Sequence, residues 1–455
     1  MKKLLSIFCV LMVLFTACKD SDPPLADNLV SFQTDKQGFT ADQATAEIKL
    51  VLSRNTDVAV PVTVTLQGSG VTYGTQFTTE PAAANNSLTV TIPAGSNSAS
   101  IKVNKAANLF LNGTESITLK IASAGQPVVV GTTPQTQLSF SSIVSTGTQL
   151  TLDGGTGGAS AINSVFVDLS ANKQTSIARE DWDLGFYSGT DFRVILNNTL
   201  AASAVATTKT DINAVSAADV NLSNLEVGFG KGTFGIIDDI NGDLTKTVIP
   251  AISVTDADNK VYIINRKGGS GTTLPAADLI KIRVLRSSNS GYTVQYAKIN
   301  ETTFQTLSIA KDSQYNFRYM SFAKGAVEVE PTKANWDIEW TYSIYTAGTV
   351  PYAFSDLVFV NHHGGVQTAE VLTSAVAYDA YAESNIATTI FTSNRNAISS
   401  NWRVTSGGTV GVKTDRFYVI KDASGNVYKM KFISFGPDGG TRGYPVLTYA
   451  LVKKA

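Results

Sequence analysis

The sequence predicts an all-β protein, with an N-terminal β-sandwich followed by a mostly antiparallel β region built from two similar halves. Three observations carry this. Apolar and polar residues alternate at period two along much of the chain, strong helical stretches are missing, and one set of motifs occurs twice in the same order. Trp182-Asp183-Leu184-Gly185-Phe186 returns as Trp336-Asp337-Ile338-Glu339-Trp340. Val261-Tyr262-Ile263-Ile264 returns as Phe417-Tyr418-Val419-Ile420, and Ile280-Lys281-Ile282-Arg283-Val284 as Tyr428-Lys429-Met430-Lys431-Phe432. Gly291-Tyr292-Thr293-Val294 has its counterpart in Gly443-Tyr444-Pro445-Val446. The four offsets are 154, 156, 148 and 152 residues. Matches in one order at nearly one offset imply a duplicated β unit, with copies over about 160–300 and 315–455.

Taken in order, the chain opens on Met1-Lys2-Lys3 and an apolar run from Leu4 to Phe15, a charged head and short apolar core too short to span a bilayer. Phe15-Thr16-Ala17-Cys18 follows and resembles a bacterial lipobox. That resemblance makes Cys18 the expected lipidation site and residues 1–18 a lipoprotein signal peptide; an ordinary cleaved signal that contains a cysteine is the alternative. Several acyl chains, each contributing about 0.8 kcal/mol per buried CH₂, hold a protein on a membrane without a spanning segment. Residues 19–25 form a linker whose Lys19-Asp20-Ser21-Asp22 resembles the surface-export signal of Bacteroidetes lipoproteins. The resemblance implies the outer face of the outer membrane, and a plain soluble tether is the other reading.

Composition narrows the chemistry. The only cysteines are Cys9, inside the signal, and Cys18, so the mature domains offer no intrachain disulfide and no zinc-thiolate site. Thirty-six Lys and Arg against 37 Asp and Glu give a net charge of −1, which is no electrostatic footprint for nucleic acid. At 43% hydrophobic residues, the chain can build two or three cores.

Residues 26–142 show period-two sets: Ile48, Leu50 and Leu52; Leu88, Val90 and Ile92; Ile101 and Val103; Ile117, Leu119 and Ile121. Turn residues such as Gly68-Ser69-Gly70 separate them, which argues for a β-sandwich. Val60-Pro61-Val62-Thr63-Val64, the run Gly68 to Phe77 and the run Gly113 to Ile121 are similar to a Calx-β domain. Calcium-binding members carry acidic loops, whereas here Gln76 and Ala106-Ala107 stand at usually acidic places and Glu115 alone aligns. Calcium wants six to eight oxygens, several of them charged, so a spacer without calcium is expected.

Residues 145–455 read as strands joined by hairpins. Asp422-Ala423-Ser424-Gly425-Asn426 and Ser287-Ser288-Asn289-Ser290-Gly291 are turns between apolar strands, and Thr373 to Asn385 and Ser216 to Leu225 are weak helical candidates. Trp336-Asp337-Ile338, Asn361-His362-His363-Gly364-Gly365-Val366, the Tyr418-Val419-Ile420 hairpin, Phe432-Ile433-Ser434-Phe435 and Gly443-Tyr444-Pro445 occur in an order similar to the HmuY family of Bacteroidetes surface lipoproteins. The resemblance implies a mostly β fold and a non-catalytic protein that takes haem or a related porphyrin from host haemoproteins and passes it to an outer-membrane receptor.

Haem iron needs axial donors, most often His, Met, Cys or Tyr. The mature chain offers His362, His363, Met320 and Met430 as candidates. Adjacent histidines on a strand point to opposite faces and cannot both serve one iron. Asn361 to Gly365 also reads as a polar turn, and both methionines also read as core. Trp182 and Trp336 either line a cleft between the halves or plug the core of their own copy, with Asp183 and Asp337 accepting backbone or indole N–H groups; the second is the expectation. Enzyme motifs are missing: no Gly-x-Ser-x-Gly, no His-Glu-x-x-His, no Walker loop, and no helix start behind Lys267-Gly268-Gly269-Ser270-Gly271. The runner-up function is a surface adhesion or glycan-binding lipoprotein that has kept the fold and lost haem ligation.

Overall fold

The computed structural model describes residues 27–455 apart from 40–42, 107–114, 141–143, 229, 269–274, 289 and 437–440. Cys18, the signal and the linker lie outside the described residues, as do Ala107 and most of the glycine cluster after Lys267. Two compact units emerge, 1–143 and 144–455. Among the described residues no helix is long and apolar enough to cross a membrane.

The first unit holds two five-stranded sheets. Its strands alternate as the sequence predicts: Thr45–Leu52 buries every second residue, and Ile48, Leu50, Leu52, Leu88, Val90, Ile92, Ile101, Val103, Ile117, Leu119 and Ile121 all enter one core. Gln76 spends its side-chain oxygen on the Thr72 N–H at 2.7 Å, closing a local turn.

The second unit contains four sheets of four or five strands in two matched pairs. One outer sheet runs Ser203–Ala206, Tyr262–Asn265, Ile280–Arg286, Tyr292–Lys298, Gln305–Ile309; the other runs Gln367–Leu372, Arg416–Lys421, Val427–Ser434, Val446–Lys453, Gln149–Thr151. The inner sheets are Val194–Leu196, Leu184–Tyr187, Phe317–Ser321, Gly325–Val327 and Val350–Val360, Ile338–Ala347, Asn163–Asp168, Lys173–Ala178. Each copy packs its own inner sheet on its own outer sheet through a separate core. A third apolar cluster, with Phe166, Trp182, Phe317, Tyr319 and Trp336, joins the two inner sheets.

Strand by strand the sheets correspond, but the copies are not the contiguous stretches that the sequence offsets suggest. Gln149–Thr151 pairs with Val446–Lys453, and Asn163–Asp168 pairs with Ile338–Ala347. The last three strands of the second copy are therefore supplied from the start of the unit, as if the repeat had been circularly permuted. The first copy takes the equivalent strands from Gln305 to Val327, in sequence order. Sequence offsets detect similar strands and are blind to which neighbour each strand joins.

Hairpins at Asp422 to Asn426 and Ser287 to Gly291 form as predicted, the first held by Asp422 accepting the Ser424 and Asn426 N–H groups at 2.9 and 2.8 Å. The helical candidates reduce to single turns: 3₁₀ segments Ala217–Asp219 and Leu222–Leu225, and the short α-helix Glu383–Ile386. Neither stretch has the apolar periodicity that docks a longer helix.

Candidate functional site between the two copies

Trp182 and Trp336 each precede the first strand of an inner sheet, and the same bracket of hydrogen bonds seats both. Asn197 gives its amide N–H groups to the carbonyls of Arg179 and Trp182 at 2.8 and 2.7 Å. Asn361 gives its own to Lys333 and Trp336, both at 2.8 Å. Asp183 accepts the Phe322 N–H at 2.7 Å and Asp337 the Leu169 N–H at 2.8 Å. The carboxylates thus accept backbone N–H groups, as expected of them. The tryptophans do not plug the core of their own copy: both lie in the cluster between the copies and line one cavity of about 100 Å³. Period two alone would put Trp182 and Trp336 on the face of Leu184 and Ile338, but the chain bends at Asp183 and Asp337 and the indoles enter the cluster between the copies.

The bracket also places the residues that differ. Immediately after Asn197 come Asn198 and Thr199; immediately after Asn361 come His362 and His363; all four line the cavity. The histidines sit in a turn closed by Gly364 N–H to Asn361 carbonyl at 3.1 Å and Gly365 N–H to His362 carbonyl at 3.3 Å. In a turn rather than a strand they share one side, with ring centroids 3.8 Å apart. His363 packs on Tyr187 and Phe317 at 5.7 and 5.8 Å. Nδ1 of His362 lies 3.3 Å from the Val360 carbonyl. Gly242 covers the ring so closely that an added Cβ would stand 3.1 Å from Nε2.

Burial pulls His362 down to about 4, helped by the Arg395 charge, while its Val360 and Gly242 backbone contacts work against the fall. It pulls His363 to about 3, helped by His362 and then Arg395. Both are neutral imidazoles at pH 7, the form that ligates metals. Met320 and Met430 are elsewhere: each is 0% exposed, Met320 in the core of the first copy and Met430 in that of the second. They fill cores and do not reach the cavity. Tyr319, next to Met320 on the strand Phe317–Ser321, faces the opposite way and does.

Sequence reasoning missed the cavity's carboxylates and its cation. Glu330 accepts the Phe317 N–H at 2.7 Å, and burial pushes it up to about 8 with the Glu339 charge adding to the rise. Burial raises Glu339 as well, against the pull of Arg395. Arg395 lies 3.6 Å from the Phe359 ring centroid and donates to the Ile240 carbonyl at 3.2 Å. Asp238 accepts the Leu196 and Val248 N–H groups at 2.6 and 2.9 Å, and burial raises it to about 6. Only Glu339 lay in a quoted motif. The others come from loops whose sequences carry no period. Among the described residues no group of three or more His, Cys, Asp and Glu is arranged to hold a metal ion.

Among curated proteins nothing matches the chain. Solved structures give faint likenesses. The apo Calx CBD1 domain is 10% identical, with 26% of this chain and 98% of that chain covered at a TM-score of 0.22. A putative carbohydrate binding protein from Bacteroides ovatus is 11% identical, with 94% of this chain and 98% of that chain covered at a TM-score of 0.17. Scores this low carry no argument. A family model does: the one described as HmuY protein, of a non-enzymatic binding family, matches residues 160–281 and 286–449. That is more than half of the sequence, and the chain belongs to the HmuY family.

Proposed function

We propose that the second unit binds haem or a related porphyrin without catalysis, and that acyl chains on Cys18 hold the chain on the outer face of a bacterial outer membrane. The first unit is then a spacer, and the porphyrin passes from host haemoproteins to an outer-membrane receptor. One observation carries the ligand: the mature chain's two histidines stand together at the cavity as neutral imidazoles. Side by side in one turn, they would supply one axial position between them and not two.

A cavity of about 100 Å³ is below the roughly 300–1,000 Å³ of small-ligand pockets. A porphyrin therefore needs the wall from Asp238 to Thr247 to move; this wall is loop and one 3₁₀ turn, with no sheet ladder holding it. The same tightness favours the second reading, a surface adhesion or glycan-binding lipoprotein that has lost ligation. Titration of the protein lacking residues 1–18 with ferric and ferrous haem decides. A saturable Soret shift, weakened by His362→Ala or His363→Ala, is expected. Absence of a saturable shift in both redox states overturns the haem reading and sends the unit to a glycan screen.

A further inference from the structure

The cavity has a chemistry of its own that an iron ligand does not use. Its lining includes the aromatic side chains Trp182, Trp336, Phe317 and Tyr319 together with the carboxylates Glu330 and Glu339. Three further carboxylates of the lining are spoken for. Asp238 is held by two backbone N–H groups, Asp239 accepts the Asn241 and Asp243 N–H groups at 2.9 and 3.2 Å, and Asp243 pairs with Lys246 at 3.0 Å on the outside. Arg395 is the one Arg or Lys among the lining residues; it lies over the Phe359 ring, donates to the Ile240 carbonyl and is shared by the charges of Glu339, Asp239 and Asp238. Glu330 and Glu339 thus share an enclosed lining with several aspartates and one guanidinium. A buried carboxylate without a full counter-charge either takes a proton or waits for a cation.

An independent observation points to an occupant. Trp336 is 7% exposed and lines the cavity, yet its Nε1 has no hydrogen-bond partner among the described residues. A buried donor left unpaired carries a desolvation penalty, which a ligand acceptor recovers. Aromatic faces with carboxylates are the chemistry that recognises organic ammonium ions. A void of about 100 Å³ is comparable to an engineered cavity that admits one benzene-sized molecule.

We propose that the cavity between the two copies binds a small organic ammonium ion carrying an oxygen acceptor. The ammonium group sits against the Glu339 carboxylate and the aromatic faces, and the oxygen accepts from Trp336 Nε1. The proposal goes beyond the haem reading, because it rests on Glu339, the aromatic faces and Trp336 Nε1 and not on the histidine nitrogens.

Calorimetry and thermal melts on the protein lacking residues 1–18 test it with three probes of one size. Ethanolamine carries both groups, ethylamine lacks the oxygen, and ethylene glycol lacks the charge. Saturable binding of ethanolamine is expected, with ethylamine weaker by about tenfold, the worth of roughly 1.4 kcal/mol, and ethylene glycol silent. Glu339→Gln is expected to abolish the preference for ethanolamine over glycol, and Trp336→Phe the preference for ethanolamine over ethylamine. Ethanolamine binding is read by calorimetry without haem and haem binding by the Soret shift without ethanolamine, so failure of one reading is distinct from failure of the other. No saturable ethanolamine binding, or glycol binding equally well, overturns the proposal. So does ethanolamine binding that Glu339→Gln leaves unchanged in a protein whose melt shows it folded.

Discussion

Glu330 keeps its proton at neutral pH because burial, then the Glu339 charge, outweigh the hydrogen bond it accepts from the Phe317 N–H. Its folded value of about 8 lies above the ordinary glutamate value of 4.5. Between those limits the folded state holds a proton that the unfolded state has released. Stability is therefore full below the lower value and falls as pH rises toward the upper one, by at most about 1.4 kcal/mol per pH unit. Glu330→Gln should flatten that fall, so that its melting temperature exceeds the parent's at pH 8 and approaches it at pH 4.5. A parallel pair of melting curves across this range would sink the assignment. None of this was legible in the sequence, because a glutamate in Val329-Glu330-Pro331 looks like any loop carboxylate until the strands beside it are placed. The histidine turn was legible, since Asn361 and the two glycines announce it, but that both rings face one side depends on the turn and not on the residue types.

At the scale of elements, the bracket formed by Asn197 and Asn361 fixes how each Trp-Asp pair enters its sheet. Removing the Asn361 amide strands the carbonyls of Lys333 and Trp336, at about 1–3 kcal/mol each. Asn361→Ala is expected to cost about 2–5 kcal/mol in urea unfolding, and Asn197→Ala a similar amount. Loss below about 0.5 kcal/mol would show that the brackets are ornamental. Met320→Ala and Met430→Ala should each cost about 2–5 kcal/mol by leaving cavities. Both should leave any haem spectrum as it was, because neither sulfur reaches the site. The strands themselves were easy to read: Tyr428, Met430 and Phe432 alternate and are all buried in the sheet's core. Which of two cores or a third interface a tryptophan enters was not, because Trp182 and Trp336 precede their strands and escape the period.

For the whole molecule, the exchange of strands between the start and end of the second unit is the feature the repeat offsets could not reveal. Leu451 N–H donates to the Thr146 carbonyl at 3.0 Å, so the chain's last strand runs beside the unit's first residues. A permuted second unit that begins at Arg179 and carries residues 144–178 after Ala455 through a short glycine linker should fold and melt in one transition. A permuted chain that stays unfolded would mean that the connection through residues 179–181 is needed for more than covalent continuity. All-β class and duplication were visible in alternation and offsets; the pairing of distant strands is set by register and packing, which no single segment encodes.

That closure also dictates an order of assembly. The strands of the first copy, from Leu184 to Val327, follow one another in the chain, whereas the second copy needs Val446–Lys453 before Gln149–Thr151 gains its partner. During synthesis the earliest segment of this unit must wait, unpaired, for the last one to emerge. The second copy accordingly closes only once Val446–Lys453 has been made, and any step that needs Gln149–Thr151 unpaired has until then to act.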